Sequence, residues 1–220
     1  MPTPLAHGVA GIAAMRTARG TATPLKLAVA AFVIAQLPDI DFVPGLLVHN
    51  VGAFHRGATH SLAGALFASL IIAAVMRRLS PRLLGRAVAP EPLPFWLCYA
   101  FVLPVYLSHI ALDLVSLDVV DNSGLMLWWP VTREYVSAPL PLPAALTSFF
   151  DLEFGPTSAE FFGTFFSLRA LAVFLVEALL FSPLLLVPAI ARRVREQRAR
   201  RSRSEPPHRT LLDLEPSAEA

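Results

Sequence analysis

Cysteine is almost absent: Cys98 stands alone in 220 residues. One thiol excludes an intrachain disulfide, a cysteine-only zinc cluster and iron–sulfur ligation, so any metal has to be held by nitrogen and oxygen. Charge is scarce as well. With 15% charged and 55% hydrophobic residues and a mean hydropathy of +0.59, the chain is too apolar for a water-soluble domain, which carries about 25% charge. Lys26 is the single lysine among 18 basic residues, and 20 prolines and 15 phenylalanines fit neither a coiled coil nor a disordered acidic chain. The pI of 9.1 does not call for a nucleic-acid partner, because the positive excess is local. Seven arginines fall between Arg192 and Arg203, and the remainder is slightly acidic.

What is abundant is membrane-spanning sequence. Apolar runs at 61–79, 94–117 and 169–190 are each long enough for a transmembrane helix. Two shorter runs, 5–15 and 25–37, are separated by Arg16, Arg19, Gly20 and Pro24. A run of about 13 residues covers only about 20 Å of a roughly 30 Å hydrocarbon core, so this pair reads as a short helical hairpin. A signal peptide cleaved after Ala35 is the competing account; the late position of the charges argues against it. The expected fold is therefore an all-α polytopic membrane bundle of four to five helices over residues 1–191. An interfacial loop at 118–168 and a basic, disordered tail at 192–220 complete it.

Orientation follows from the positive charges in the connections. Arg16, Arg19 and Lys26 flank the hairpin turn, Arg77, Arg78, Arg82 and Arg86 follow the 61–79 span, and seven arginines occupy the tail. If the spans alternate, all fourteen lie on one side, which predicts a cytoplasmic C-terminus in a bacterial plasma membrane. The tail arginines also suit anionic lipid headgroups.

Ionisable residues near a bilayer are costly unless paired or hydrated, so their positions are informative. Asp39 and Asp41 lie in LPDIDF, His55, Arg56 and His60 in FHRGATHS, and His109 and Asp113 in SHIALD, four apart on one helical face. Threaded through this topology, all arrive at the non-cytoplasmic side, and His7 joins them if the hairpin forms. The arginines that set the topology take no part in the cluster. Imidazole and carboxylate form the ligand set of zinc and of manganese or iron, and they are numerous enough here for one or two divalent ions. His60, His109, Asp39 and Asp113 are the first candidates as metal ligands. His7, Asp41 and His55 complete a second ion site or orient the ligands, with Asp41 or His55 available as a general base.

The same residues admit plainer roles. Asp39 and Asp41 can end a helix, His109 and Asp113 can glue helices together, and His7 can be an ordinary surface histidine. Arg56 suits an oxyanion clamp beside the metal ligands, or an interfacial ion pair with Asp39 or Asp41. Thr59 or Ser61 can cap the next helix. Glu177, inside the last span with no basic neighbour in helical register, is a candidate proton handler. His49 reads as a loop residue and His208 belongs to the tail.

These pieces in this order, PLAHGVAGIA, LPDIDF, HRGATHSL, SHIALDL and GLMLWWP over roughly residues 4–130, resemble a family of metal-dependent hydrolases of the bacterial inner membrane. The family is also labelled LexA-binding, inner-membrane-associated hydrolases. The resemblance implies a membrane-embedded helical protein with a divalent-metal site at His7, Asp39, Asp41, His55, His60, His109 and Asp113, with Arg56 and Thr59 beside it. Nothing in the tail corresponds to LexA binding.

The loop at 118–168 carries Trp128, Trp129 and Tyr135, then Phe149, Phe150, Phe154, Phe161, Phe162, Phe165 and Phe166. Such aromatics favour the membrane interface, where the loop would roof the polar cluster and admit an amphiphile from the side. The expected activity is metal-dependent hydrolysis, by activated water, of a phosphoester or ester in a membrane lipid or lipid-linked substrate. A metal carrier or sensor that does no chemistry, and a structural or assembly factor, are the alternatives.

Overall fold

A computed structural model describes residues 3–19, 25–50, 52–85, 88–115, 124–138, 152 and 157–204. Among them the chain is all-helical. Helices α1 (Pro4–Arg19) and α2 (Leu25–Ile34) are followed by a 3₁₀ turn at Leu37–Asp41 and the short α3 (Phe42–Leu47). A second 3₁₀ turn, Ala58–His60, leads into α4 (Leu62–Leu84), then come α5 (Phe95–Val115), α6 (Ser158–Phe165) and α7 (Leu168–Ser204). The β pairing among these residues is the single antiparallel bridge Leu125–Val136.

Three helical segments, Leu62–Leu84, Phe95–Val115 and Leu168–Val187, are long and apolar enough to cross a membrane. A fourth crossing arises if Leu25–Ile34 and Leu37–Leu47, bent by 42°, count as one span. Helix α1, with 16 residues, reaches about 24 Å and packs against α2 as the expected hairpin partner. The second apolar run stops at Ile34 instead of continuing to 37, because Pro38 has no amide to donate to the Ile34 carbonyl and its ring crowds the preceding turn, so the chain tightens into a 3₁₀ turn. The chain continues from there as the bent segment and not as an open, hydrated loop.

The core lies between α1, α2, α4 and α5, where Met15, Leu27, Ala31, Phe101, Val102 and Val105 are buried together. Small residues let the backbones approach, as Gly11 does against Ala35 and the Ala31 carbonyl. The outer faces are as apolar as the core. Leu66, Phe67, Leu70 and Ile71 on α4, and Leu171, Leu175 and Leu179 on α7, are exposed, the pattern of helices that face lipid.

Helix α7 runs past the expected boundary at 191 to Ser204. Arginine, alanine, glutamine and glutamate are strong helix formers, and neither glycine nor proline interrupts 189–205. Residues 205–220 with His208, the expected turn at 20–24, Arg86, and Phe149, Phe150 and Phe154 of the expected interfacial loop lie outside the described residues.

Candidate metal centre

One end of the bundle collects the start of α1, the turn after α2, the segment before α4 and the last turn of α5. Each contributes for a local reason. Ser61 caps α4, its hydroxyl accepting from the Gly64 amide at 2.8 Å and donating to the Ala58 carbonyl at 2.7 Å, so the preceding turn presents His60 inward. A Cβ at Gly64 would run into that same Ala58 carbonyl, so only glycine lets the turn sit this close to α4. The Tyr106 hydroxyl donates to the Thr59 carbonyl at 3.0 Å and ties the turn to α5. One and two helical turns on, His109 and Asp113 point the same way and are fully enclosed, at 0% and 2% exposure.

Asp39, His60, His109 and Asp113 form a group whose ligand atoms all lie within 4.8 Å of one another. His60 Nε2 is 3.2 Å from His109 Nε2, 3.5 Å from Asp39 Oδ1 and 3.4 Å from Asp113 Oδ2. His109 Nε2 is 3.3 Å from each of the same two oxygens. In a tetrahedron the edge is about 1.63 times the centre-to-corner distance, so zinc bonds of about 2.0–2.1 Å require edges of about 3.3–3.4 Å. Five of the six edges fall within 0.2 Å of that span. The residues fit a divalent ion with two nitrogen and two oxygen donors.

Around this group the ligands are oriented by a further layer. His109 Nδ1 lies 2.6 Å from the Ala35 carbonyl, and His60 Nδ1 lies 3.0 Å from Asp41 Oδ2, each fixing which ring nitrogen faces the centre. Residues two apart in a 3₁₀ turn point to different sides. Asp39 and Asp41 therefore straddle the His60 ring, one at each nitrogen. Asp41 is a hub: its Oδ2 also accepts from the Thr59 hydroxyl at 2.7 Å and from the Arg56 amide at 3.1 Å, while Oδ1 lies 3.1 Å from His55 Nδ1. Asp41, His55 and His60 form a second cluster of possible ligands. It shares His60, whose Nδ1 Asp41 already engages.

Charge points the same way. Three carboxylates against the Arg56 guanidinium leave two negative charges when the imidazoles are neutral, the complement of one divalent cation. His60 registers this field. Burial alone would lower its pKa, yet hydrogen bonding to Asp113, Asp39 and Asp41 outweighs burial and holds it well above the ordinary 6.5.

His7, 1% exposed, stands beside the four-residue group: it stacks on His109 at 3.7 Å, and its Nε2 lies 3.4 Å from Asp113 Oδ1, the oxygen turned away from His60. Arg56 approaches that same oxygen with Nη2 at 3.7 Å. Its backbone is left-handed, with φ 63°, a conformation that costs a non-glycine residue about 1–2 kcal/mol. Asp41 holds its amide, and its carbonyl accepts from Met126 at 3.1 Å. That bond and Leu62 N–H to the Leu127 carbonyl at 3.0 Å lay residues 124–138 against the site. His55 stacks on Phe42 at 3.9 Å, and Phe42 meets Phe161 of α6 at 5.4 Å, so an aromatic chain runs from the site to α6. His55 Nε2 is buried without a hydrogen bond.

All eight residues singled out in the sequence, His7, Asp39, Asp41, His55, Arg56, His60, His109 and Asp113, thus gather in one place. His49 is exposed. The orienting groups Tyr106 and the Ala35 carbonyl were not anticipated. Tyr106 shares the face of His109 and Asp113, a spacing of three and then four that signals it; a backbone carbonyl leaves no trace in sequence.

Comparison with known proteins sets this geometry in a family. Residues 1–194 match the YdjM inner membrane protein family. The chain belongs to that family. It is also similar to the inner membrane protein YbcI of Escherichia coli (strain K12), at 30% identity over 142 residues, 63% of this chain and 73% of that protein. No solved structure matches. The two names give the membrane and no chemistry. With three helices able to cross a bilayer, the YdjM membership makes this a multi-helix protein of the bacterial inner membrane.

Proposed function

We propose that this YdjM family member is a membrane-embedded, metal-dependent hydrolase acting on a phosphoester or ester of a lipid or lipid-linked substrate. The observation that carries the reading is the near-tetrahedral set of edges among Asp39, His60, His109 and Asp113. A divalent ion held there, zinc first and manganese or iron next, would supply Lewis acidity and, by taking a water beyond the four protein donors, a nucleophile acidic enough to react near neutral pH. His55, with Nδ1 turned to Asp41 and Nε2 free of hydrogen bonds, is the group able to take or return a proton. Arg56 offers a guanidinium fork for the oxygens of a phosphoryl or carboxyl centre. His7 orients Asp113. The headgroup would enter beside Phe42 and Phe161, with the lipid tail left among the aromatics of α6. The positive-charge bias supports a site on the non-cytoplasmic side with the C-terminus inside.

Four protein ligands also favour a second reading, a closed site that holds metal and does no chemistry. Against it stands the donor set, because closed zinc sites are built largely from cysteine. Elemental analysis of the detergent-solubilised protein, followed by phosphoester and lipid-ester assays, separates the two. One equivalent of metal with turnover, both lost in His60→Ala and Asp113→Ala, is expected for the hydrolase. Metal without turnover on any ester supports the closed site, and retention of stoichiometric metal by either variant refutes the ligand assignment.

A further inference from the structure

Glu177 is not among the residues of the metal centre, yet it is 4% exposed in the middle of an apolar span, where an unsatisfied carboxylate would be strongly disfavoured. Its Oε2 accepts from the Thr3 amide at 2.8 Å and also from the Thr3 hydroxyl. Thr3, 3% exposed, is the residue before α1, and its carbonyl accepts from the His7 amide at 3.1 Å. Pro4 opens the helix and has no amide to satisfy. The Pro4 carbonyl is in turn held by Gln36 Nε2 at 2.9 Å, from the turn after α2. Two side chains from other elements therefore fix the first turn of α1, and His7 lies one turn on, about 6 Å along the axis.

We infer that Glu177 is a positioning residue for the metal centre. By capping α1 from the last helix, it sets the height and rotation at which His7 stacks on His109 and meets Asp113. The inference rests on the proposed metal centre. Helix α7 packs chiefly on α1, so this tie carries the packing of the last span to the His7 side of the site. Hydrogen-bond acceptance is what the position requires: both donors reach one oxygen, and the side-chain carbonyl of glutamine offers an equivalent acceptor. Leucine would fill the space and leave both Thr3 donors without a partner.

The test uses the full chain in detergent, loaded with Co²⁺ in place of the native metal, with visible absorption and Co²⁺ affinity as readouts. Glu177→Gln should keep the wild-type spectrum and affinity. Glu177→Leu should shift the bands as His7→Phe does and weaken affinity about tenfold, the scale of losing an outer-layer partner. Thr3→Val, which removes one donor and spares the acid, should fall between. A Glu177→Leu protein indistinguishable from wild type overturns the inference, as does a Glu177→Gln protein as impaired as the leucine variant. If the leucine variant does not fold, the glutamine and valine variants still decide. Wild-type protein that binds no cobalt refutes the metal reading alone. Amide exchange at residues 5–8 of metal-free protein then reads the cap directly: faster exchange in Glu177→Leu supports it and equal exchange overturns it.

Discussion

His60 is the residue on which the site turns, because its two ring nitrogens face different partners. Nε2 looks into the four-ligand group and Nδ1 looks at Asp41. Sequence could supply the residue types and, through the spacing of His109 and Asp113, one shared helical face. It could not show that Asp39 and Asp41 straddle a single imidazole, since that depends on the 3₁₀ turn that Pro38 imposes after α2. Asp41→Asn tests the hub. Asparagine keeps the shape but puts a donor where an acceptor stood, so the protein should fold and bind metal about 10–100-fold more weakly by competition with a chelator. Unchanged affinity would remove Asp41 from the orienting layer. Protonation supplies a second test at the same residue. The surrounding carboxylates hold the His60 pKa above 6.5, so below that raised value metal has to displace a proton. Affinity should therefore climb with pH by about tenfold per unit for one proton and level off above the His60 pKa. Calorimetry in buffers of different ionisation enthalpy counts the protons released, and zero release at acidic pH would contradict this.

At the scale of elements, the turn before α4 transmits packing to chemistry. Ser61 was legible as a helix cap from its place before an apolar run, and the cap is present. Gly64 was not singled out, because a glycine inside a span looks like any small residue until a carbonyl is found against it. Gly64→Ala should force the Ala58 carbonyl aside at a cost of about 1–3 kcal/mol. His60 is two residues from Ala58, so metal affinity should fall together with the melting temperature. A variant that melts earlier but binds metal as before would show that the turn yields without moving His60. The three long spans were legible because hydropathy over some 20 residues reports burial in lipid directly. The bend after α2 and the extension of α7 to Ser204 were not, since both depend on local backbone preference within sequence that hydropathy averages over.

For the whole molecule, the arginines of the connections and tail and the candidate metal centre are independent sequence features that the fold separates. The charged connection after α4 and the end of α7 lie at one end of the bundle, and the eight site residues lie at the other. That separation makes orientation testable on a chain with nearly no thiol background, because Cys98 is 1% exposed. Ala53 and Glu91 are exposed in connections at opposite ends. In right-side-out membrane vesicles, Ala53→Cys should react with a membrane-impermeant maleimide at once, whereas Glu91→Cys should react only after the vesicles are opened. The reverse pattern would put the histidines and aspartates on the cytoplasmic side, where a soluble phosphoester becomes as accessible as a lipid. The substrate screen would then have to begin there. Equal labelling of both sites in sealed vesicles would mean mixed insertion, which a bias of fourteen positive charges on one side argues against.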